Sequence, residues 1–122
     1  MKTKIIVVED EKMKLVTITE ALTRAGYDVE GCEDGQSAWG KLSLEKFDIA
    51  ILDLRLPKVN GLELLKRIMV NSPETEVIMM TAYGDAQNME LARELDVIHY
   101  MSKPFDLFEL RDKVKEIFSK NN

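Results

Sequence analysis

The stretch IAILDLRLP, Ile49 to Pro57, frames the reading of this chain. Four apolar residues, Ile49 to Leu52, read as a strand buried on both faces. The run then ends on a carboxylate, Asp53, and a proline closes the segment at Pro57. Aspartate is a common turn residue, so turn chemistry alone could explain it. Whether the acid has another purpose depends on what the rest of the chain brings beside it.

The chain has 122 residues, which suits one compact domain over 1–122 with no output domain. A formal net charge of −5, with no basic run, argues against direct nucleic-acid binding. One cysteine, Cys32, excludes an intrachain disulfide and fits a reducing compartment. MKTKIIVVEDE has too short an apolar run for a signal peptide, and no stretch approaches the roughly 18 apolar residues of a membrane span. The expected compartment is the cytoplasm, with no membrane partner.

Five short apolar runs recur: 5–8, 27–32, 49–52, 77–80 and 97–101. Between them lie segments of helical period. Leu15, Ile18, Leu22 and Ala25 share one face, with Gly26 as the helix stop. A weaker helix is expected over 36–44. Others are expected over 61–70 and over 85–95 with Asp85 as cap. A last helix carries Leu107, Leu110, Val114 and Ile117. Strands alternating with helices predict an α/β, doubly wound parallel sheet. The 27–32 run alternates, as an edge strand should, and the final SKNN reads as a frayed end.

In such sheets ligands sit beyond the carboxyl ends of the strands. Those ends carry Glu9-Asp10-Glu11, Asp53, Thr81-Ala82 and Ser102-Lys103-Pro104. Three carboxylates, Glu9, Asp10 and Asp53, repel one another unless a cation intervenes. A hard divalent ion such as Mg2+ takes carboxylates, keeps waters and binds phosphate oxygens; Mn2+ is an expected substitute. Lys103 adds an ammonium and Thr81 a hydroxyl. Together they can stabilise a transferring phosphoryl group, for which a carboxylate can be the nucleophile. Asp53 is the best nucleophile, because it ends a central strand and Pro57 stiffens the loop after it. Asp10 is the expected direct metal ligand, Glu9 one acting through a water, and the backbone carbonyl of Arg55 offers another oxygen.

Glu9-Asp10, Asp53 in LDLRLP, Asn60-Gly61, Thr81-Ala82, and Tyr100 with Lys103-Pro104-Phe105 occur in that order along the chain. The set resembles the receiver domain of bacterial response regulators. The resemblance implies a five-stranded flavodoxin-like sheet in order 2-1-3-4-5 with five helices. It implies phosphorylation of Asp53 by a phosphohistidine donor with Mg2+ bound, and contact of Thr81 and Lys103 with the phosphoryl group. Tyr100 would be a switch moving with Thr81, and Lys103-Pro104 a frequent site of a cis peptide. Docking of a sensor histidine kinase or a histidine phosphotransferase is implied through the first helix and the loop after the fifth strand. The residues at those places are Met13, Lys14, Thr17, Pro104 and Phe105. Asp96-Val97 and His99 depart from the family's usual pattern without touching this chemistry. Arg55 and Tyr83, each two residues past a site residue, are expected to tune the lifetime of the aspartyl-phosphate.

The 77–117 region resembles single-domain sporulation-type phosphorelay proteins, whereas DLRLP and MTAYGD resemble receivers of larger transcription activators. A stand-alone receiver is the expectation, and a receiver cut from a transcriptional regulator is the alternative. The chain is expected to act as a monomer that can dimerise on phosphorylation, and to catalyse only its own phosphorylation and dephosphorylation. An FMN-binding reading fails on the acidic loop EDEKMK, which would repel a phosphate unless a metal bridged it. An aspartate-nucleophile phosphatase would want an acid where Arg55 stands.

Overall fold

The computed structural model describes residues 2–56, 59–82, 86–95, 99–104 and 106–120. In chain order the elements are β1 (Lys4–Val8), α1 (Lys12–Arg24), β2 (Asp28–Cys32), α2 (Gly35–Leu44) and β3 (Ile49–Asp53). They continue with α3 (Gly61–Asn71), β4 (Glu76–Thr81), α4 (Ala86–Glu94), β5 (His99–Ser102) and α5 (Leu107–Lys120). The strands form one parallel sheet in order β2-β1-β3-β4-β5.

The apolar runs explain the layers. Side chains alternate across a strand, so Ile6, Val8, Ala50, Leu52, Val77 and Met79 face one way and pack beneath α2, α3 and α4. Ile5, Val7, Ile49, Ile51, Ile78 and Met80 face the other way, against Leu15, Ile18 and Leu22 of α1 and Leu110, Val114 and Ile117 of α5. Residues 5–8 and 49–52 are all buried, as strands covered on both faces require. β2 lies at an edge, as expected of it, but its exposure is mixed rather than alternating, with Cys32 its one buried residue.

Helix ends follow their local chemistry. Asp34 caps α2 by accepting from the Ser37 amide at 2.7 Å, and Asn60 caps α3 by accepting from Glu63 at 2.9 Å. Gly26 follows α1 with φ +101°, a left-handed turn that favours glycine. Trp39 of α2 is half-buried on the α2–α3 side, with the Arg67 guanidinium 5.6 Å from its ring centre. Cys32, Met79 and Met80 are core, as their apolar character implies.

Some boundaries shift. Asp53 and Thr81 are the last residues of β3 and β4 rather than the first residues beyond them, because each still pairs with its neighbouring strand. Ser119 and Lys120, expected to fray, continue α5, whose apolar stripe through Ile117 anchors the last turn. Pro57, Asp85 and Asp96-Val97 lie outside the described residues.

Candidate phosphoacceptor site

The register sets Val8 beside Leu52, Asp53 beside Met80 and Thr81 beside Ser102. The residues at these strand ends therefore share one edge of the sheet. Glu9 is 1% exposed and Asp53 6%, whereas Asp10 is exposed. Carboxylate oxygens of Glu9, Asp10 and Asp53 lie within 4.8 Å of one another.

Lys103 reaches this cluster from beyond β5. Its Nζ donates to Asp53 Oδ2 at 2.5 Å and lies 3.5 Å from Glu9 Oε1. The other Asp53 oxygen, Oδ1, accepts from the Arg55 amide at 3.0 Å. The Lys103 amide donates to the Thr81 carbonyl at 2.6 Å, and the Lys103–Pro104 peptide is cis. Backbone and ammonium thus tie the β5 end to both β4 and β3.

Among the described residues, one lysine faces three acids. Burial, then the neighbouring Asp53 carboxylate and, more weakly, Asp10 push the Glu9 carboxyl up to about 7, against the downward pull of Lys103. Burial alone would lower the Lys103 ammonium, but its hydrogen bond to Asp53 and the charges of Asp53 and Glu9 outweigh burial and raise it. Glu9 Oε2 is buried with no hydrogen-bond partner among the described residues. An orphaned buried oxygen beside two more carboxylates is the donor set a hard divalent cation uses. The cluster fits such an ion.

Thr81 is buried at this edge, yet its hydroxyl donates to the Met101 carbonyl at 3.4 Å and so engages β5 rather than Asp53. A buried hydroxyl needs a partner, and the adjacent strand supplies one. Tyr100 is half-buried on the α4 side, with the Arg93 guanidinium 5.9 Å from its ring centre. Arg55 is exposed at the start of the loop after β3. Tyr83 lies outside the described residues. His99 is buried and pairs with Glu76 at 3.4 Å at the start of β4, far along the strand from the acids.

Beside Lys103 and Glu9 an apolar groove of about 860 Å³ runs between α1 and the start of α5. Met13, Lys14, Thr17 and Pro104 all line it, so the structure brings these four expected docking residues together. Phe105, the fifth, lies outside the described residues. Phe108, 73% exposed, also lines the groove. Sequence reasoning did not assign a role to the close approach of α2 and α3 to the loop after Asp53. Gly35 and Gly61 make that approach, and a glycine opening a helix is the only local signal of it.

Comparison with known proteins agrees with this arrangement. The response regulator receiver domain profile matches residues 5–115. Sporulation initiation phosphotransferase F of Bacillus subtilis is 34% identical over 95% of this chain and 94% of its own length. Transcriptional regulatory protein CrdR of Helicobacter pylori is 36% identical over 98% of this chain, and the alkaline phosphatase synthesis regulator PhoP of Bacillus subtilis is 36% identical over 99%. The chain spans only 56% and 50% of those two regulators. The crystal structure of a CheY-like receiver domain protein from Methanospirillum hungatei is 28% identical, covers 98% of this chain and is itself covered over 96%, with a TM-score of 0.94. With its sheet order, its acidic strand ends and its lysine all in place, this chain belongs to the receiver domain family of two-component response regulators.

Proposed function

We propose that Asp53 is the phosphoacceptor and takes its phosphoryl group from a phosphohistidine on a sensor kinase or histidine phosphotransferase. An Asp53 oxygen attacks phosphorus, the P–N bond breaks, and the imidazole leaves with the electron pair and is protonated. The observation that carries this reading is the buried Asp53 carboxylate, held by Lys103 next to the unpartnered Glu9 oxygen. Glu9, Asp10, Asp53 and the Arg55 carbonyl are the oxygens that would hold Mg2+, or Mn2+ in its place. The ion would supply charge neutralisation for the transferring group.

The chain's own residues do the rest. Lys103, fixed beside Asp53, stays charged and follows the negative charge onto the phosphoryl oxygens. Thr81 exchanges its Met101 carbonyl for a phosphoryl oxygen, and Tyr100 on the neighbouring strand responds as the switch. Arg55 and Tyr83 limit the approach of water and set the phosphoryl lifetime. The groove lined by Met13, Lys14, Thr17 and Pro104 opens beside Lys103, and a partner helix delivers its phosphohistidine there, with Phe105 as a further docking residue.

An alignment over 94% of the sporulation phosphotransferase supports a single-domain relay protein, which we place in the cytoplasm and take as monomeric until phosphorylated. The half-length match to CrdR and PhoP favours the second reading, a receiver within a longer regulator; an open reading frame continuing past residue 122 would select it. No helix among the described residues is long and apolar enough to cross a membrane. The test of phosphoacceptance is incubation with acetyl phosphate and Mg2+, read by intact mass. One phosphoryl group is expected, lost with hydroxylamine and absent in Asp53→Ala; an unchanged mass in the wild-type chain at every Mg2+ concentration overturns the proposal.

A further inference from the structure

Two helices start against the loop that follows Asp53. Gly61, the first residue of α3, is buried, and its amide donates to the Leu54 carbonyl at 3.2 Å. A Cβ built on Gly61 would overlap the Asp53 carbonyl and come within 2.8 Å of Leu54 Cα. Gly35, the first residue of α2, is also buried. A Cβ built there would overlap the Val59 carbonyl oxygen and lie 2.8 Å from its carbon. These neighbours are backbone, so a side chain at either position cannot be accommodated by a rotamer change.

We infer that Gly35 and Gly61 are positioning residues that clamp the segment after Asp53 from both ends and so place the metal-side groups of the phosphoacceptor site. The segment between the contacts carries Arg55, whose amide holds Asp53 Oδ1 at 3.0 Å. α2 makes a firm jaw: Ala38 and Leu42 bury its face, and Asp34 caps its first turn. The α3 jaw is fixed likewise by the Asn60 cap and by Leu64, Leu65 and Ile68. Neither glycine is needed for an unusual φ, since only Gly26 has a positive one among the described glycines. Their smallness serves close approach instead.

The inference rests on Asp53 as phosphoacceptor, and Gly35 is its sharper probe because it touches no site residue. Gly40, on the same helix, has nothing within 4 Å of a built Cβ and is the internal control. Alanine at position 35 must drive the loop or the helix back on the order of 1 Å, and a misplacement of that size can lower a rate about 10²-fold. The experiment compares Gly35→Ala, Gly40→Ala and wild type by amide NMR of the Mg2+-free chain. It then follows phosphorylation by acetyl phosphate against Mg2+ concentration.

Gly35→Ala should shift the Arg55, Asn60 and Gly61 amides and raise the half-saturating Mg2+ concentration, or lower the rate, at least 10-fold. Gly40→Ala should leave those amides and both kinetic parameters within twofold of wild type. A folded Gly35→Ala chain whose Arg55 and Gly61 amides stay put and whose kinetics lie within twofold of wild type overturns the clamp. If Gly35→Ala does not fold, Val59→Gly leaves that carbonyl in place but makes the backbone abutting Gly35 more flexible. It should then shift the Arg55 amide and raise the half-saturating Mg2+ concentration at least threefold, and no change in either overturns the clamp. A wild-type chain that takes no phosphoryl group defeats the phosphoacceptor reading alone, and the amide shifts then decide the clamp by themselves.

Discussion

Asp48 and Asp53 stand at opposite ends of β3 and meet opposite surroundings. Asp48 is exposed, its side chain accepts from the Lys4 amide at 2.8 Å, and its own amide and carbonyl bond to Lys4 and Glu76. Around it Lys4 pairs with Glu45 at 2.7 Å, and the Thr75 hydroxyl donates to the Phe47 carbonyl at 2.8 Å. That end of the sheet is closed on itself. Among the described residues, Asp53 is buried beside two more acids and one lysine, with a neighbouring oxygen left unpartnered. The same residue type on the same strand staples one end and leaves the other electrostatically unfinished. Unfinished charge at a strand end is a mark of a binding edge, held in place by the rest of the core.

The largest contrast comes from removing each aspartate. Asp53→Ala should abolish phosphoryl uptake and raise the thermal midpoint, because it relieves crowding of like charges and leaves Lys103 with Glu9. Asp48→Ala should keep uptake within twofold of wild type and lower stability by about 1 kcal/mol, the usual worth of such a bond. Intact mass and thermal melts of the two variants, side by side, would break the comparison if both lost uptake or both lost stability. Next in size is Lys103→Ala. Losing a positioned charge of this kind lowers rates on the order of 10²-fold, so phosphorylation should slow by that order at saturating Mg2+.

Glu9 sharpens the comparison through pH. A carboxyl raised from 4.5 to about 7 favours the folded state fully below its unfolded value, and that contribution is lost as pH rises toward 7. The metal-free chain should therefore lose stability from about pH 4.5 to 7. Glu9→Gln should flatten that slope, and Mg2+ should restore stability at pH 7.5 in wild type. Denaturant midpoints across pH 5–8, with and without Mg2+, check both; a wild-type curve rising with pH through this window would contradict the account. The smallest effect belongs to Lys4→Ala. Its ion pair with Glu45 is partly exposed, and solvent screens such pairs. Stability should fall by less than in Asp48→Ala, with phosphorylation untouched.

Much of this arrangement was legible from residue order. Continuous apolar runs gave the central strands, because burial on both faces leaves no polar position to misread. Helical stripes such as Leu15, Ile18 and Leu22 gave the covering layers. The acids and Lys103 were legible because a parallel sheet delivers every strand end to one edge. The present partner of Thr81 was not legible: Met101 lies on another strand, and only the β4–β5 pairing brings its carbonyl within reach. The Gly35–Val59 approach was hidden for the same reason, since the start of α2 and the loop before α3 meet only after the two helices have packed. Nor does sequence separate Glu9 from Asp10 in exposure; as the chain leaves β1, the first is buried and the second exposed.

Trp39 gives the protein a built-in reporter. It is the only tryptophan, it sits one turn beyond Gly35, and the Arg67 guanidinium lies over its ring. Its emission therefore comes from the α2–α3 layer and not from the acidic edge. Unfolding followed by tryptophan emission reads one emitter in one environment. A change in that emission when phosphodonor is added would mean that chemistry at the strand ends has been felt through the jaws of the clamp.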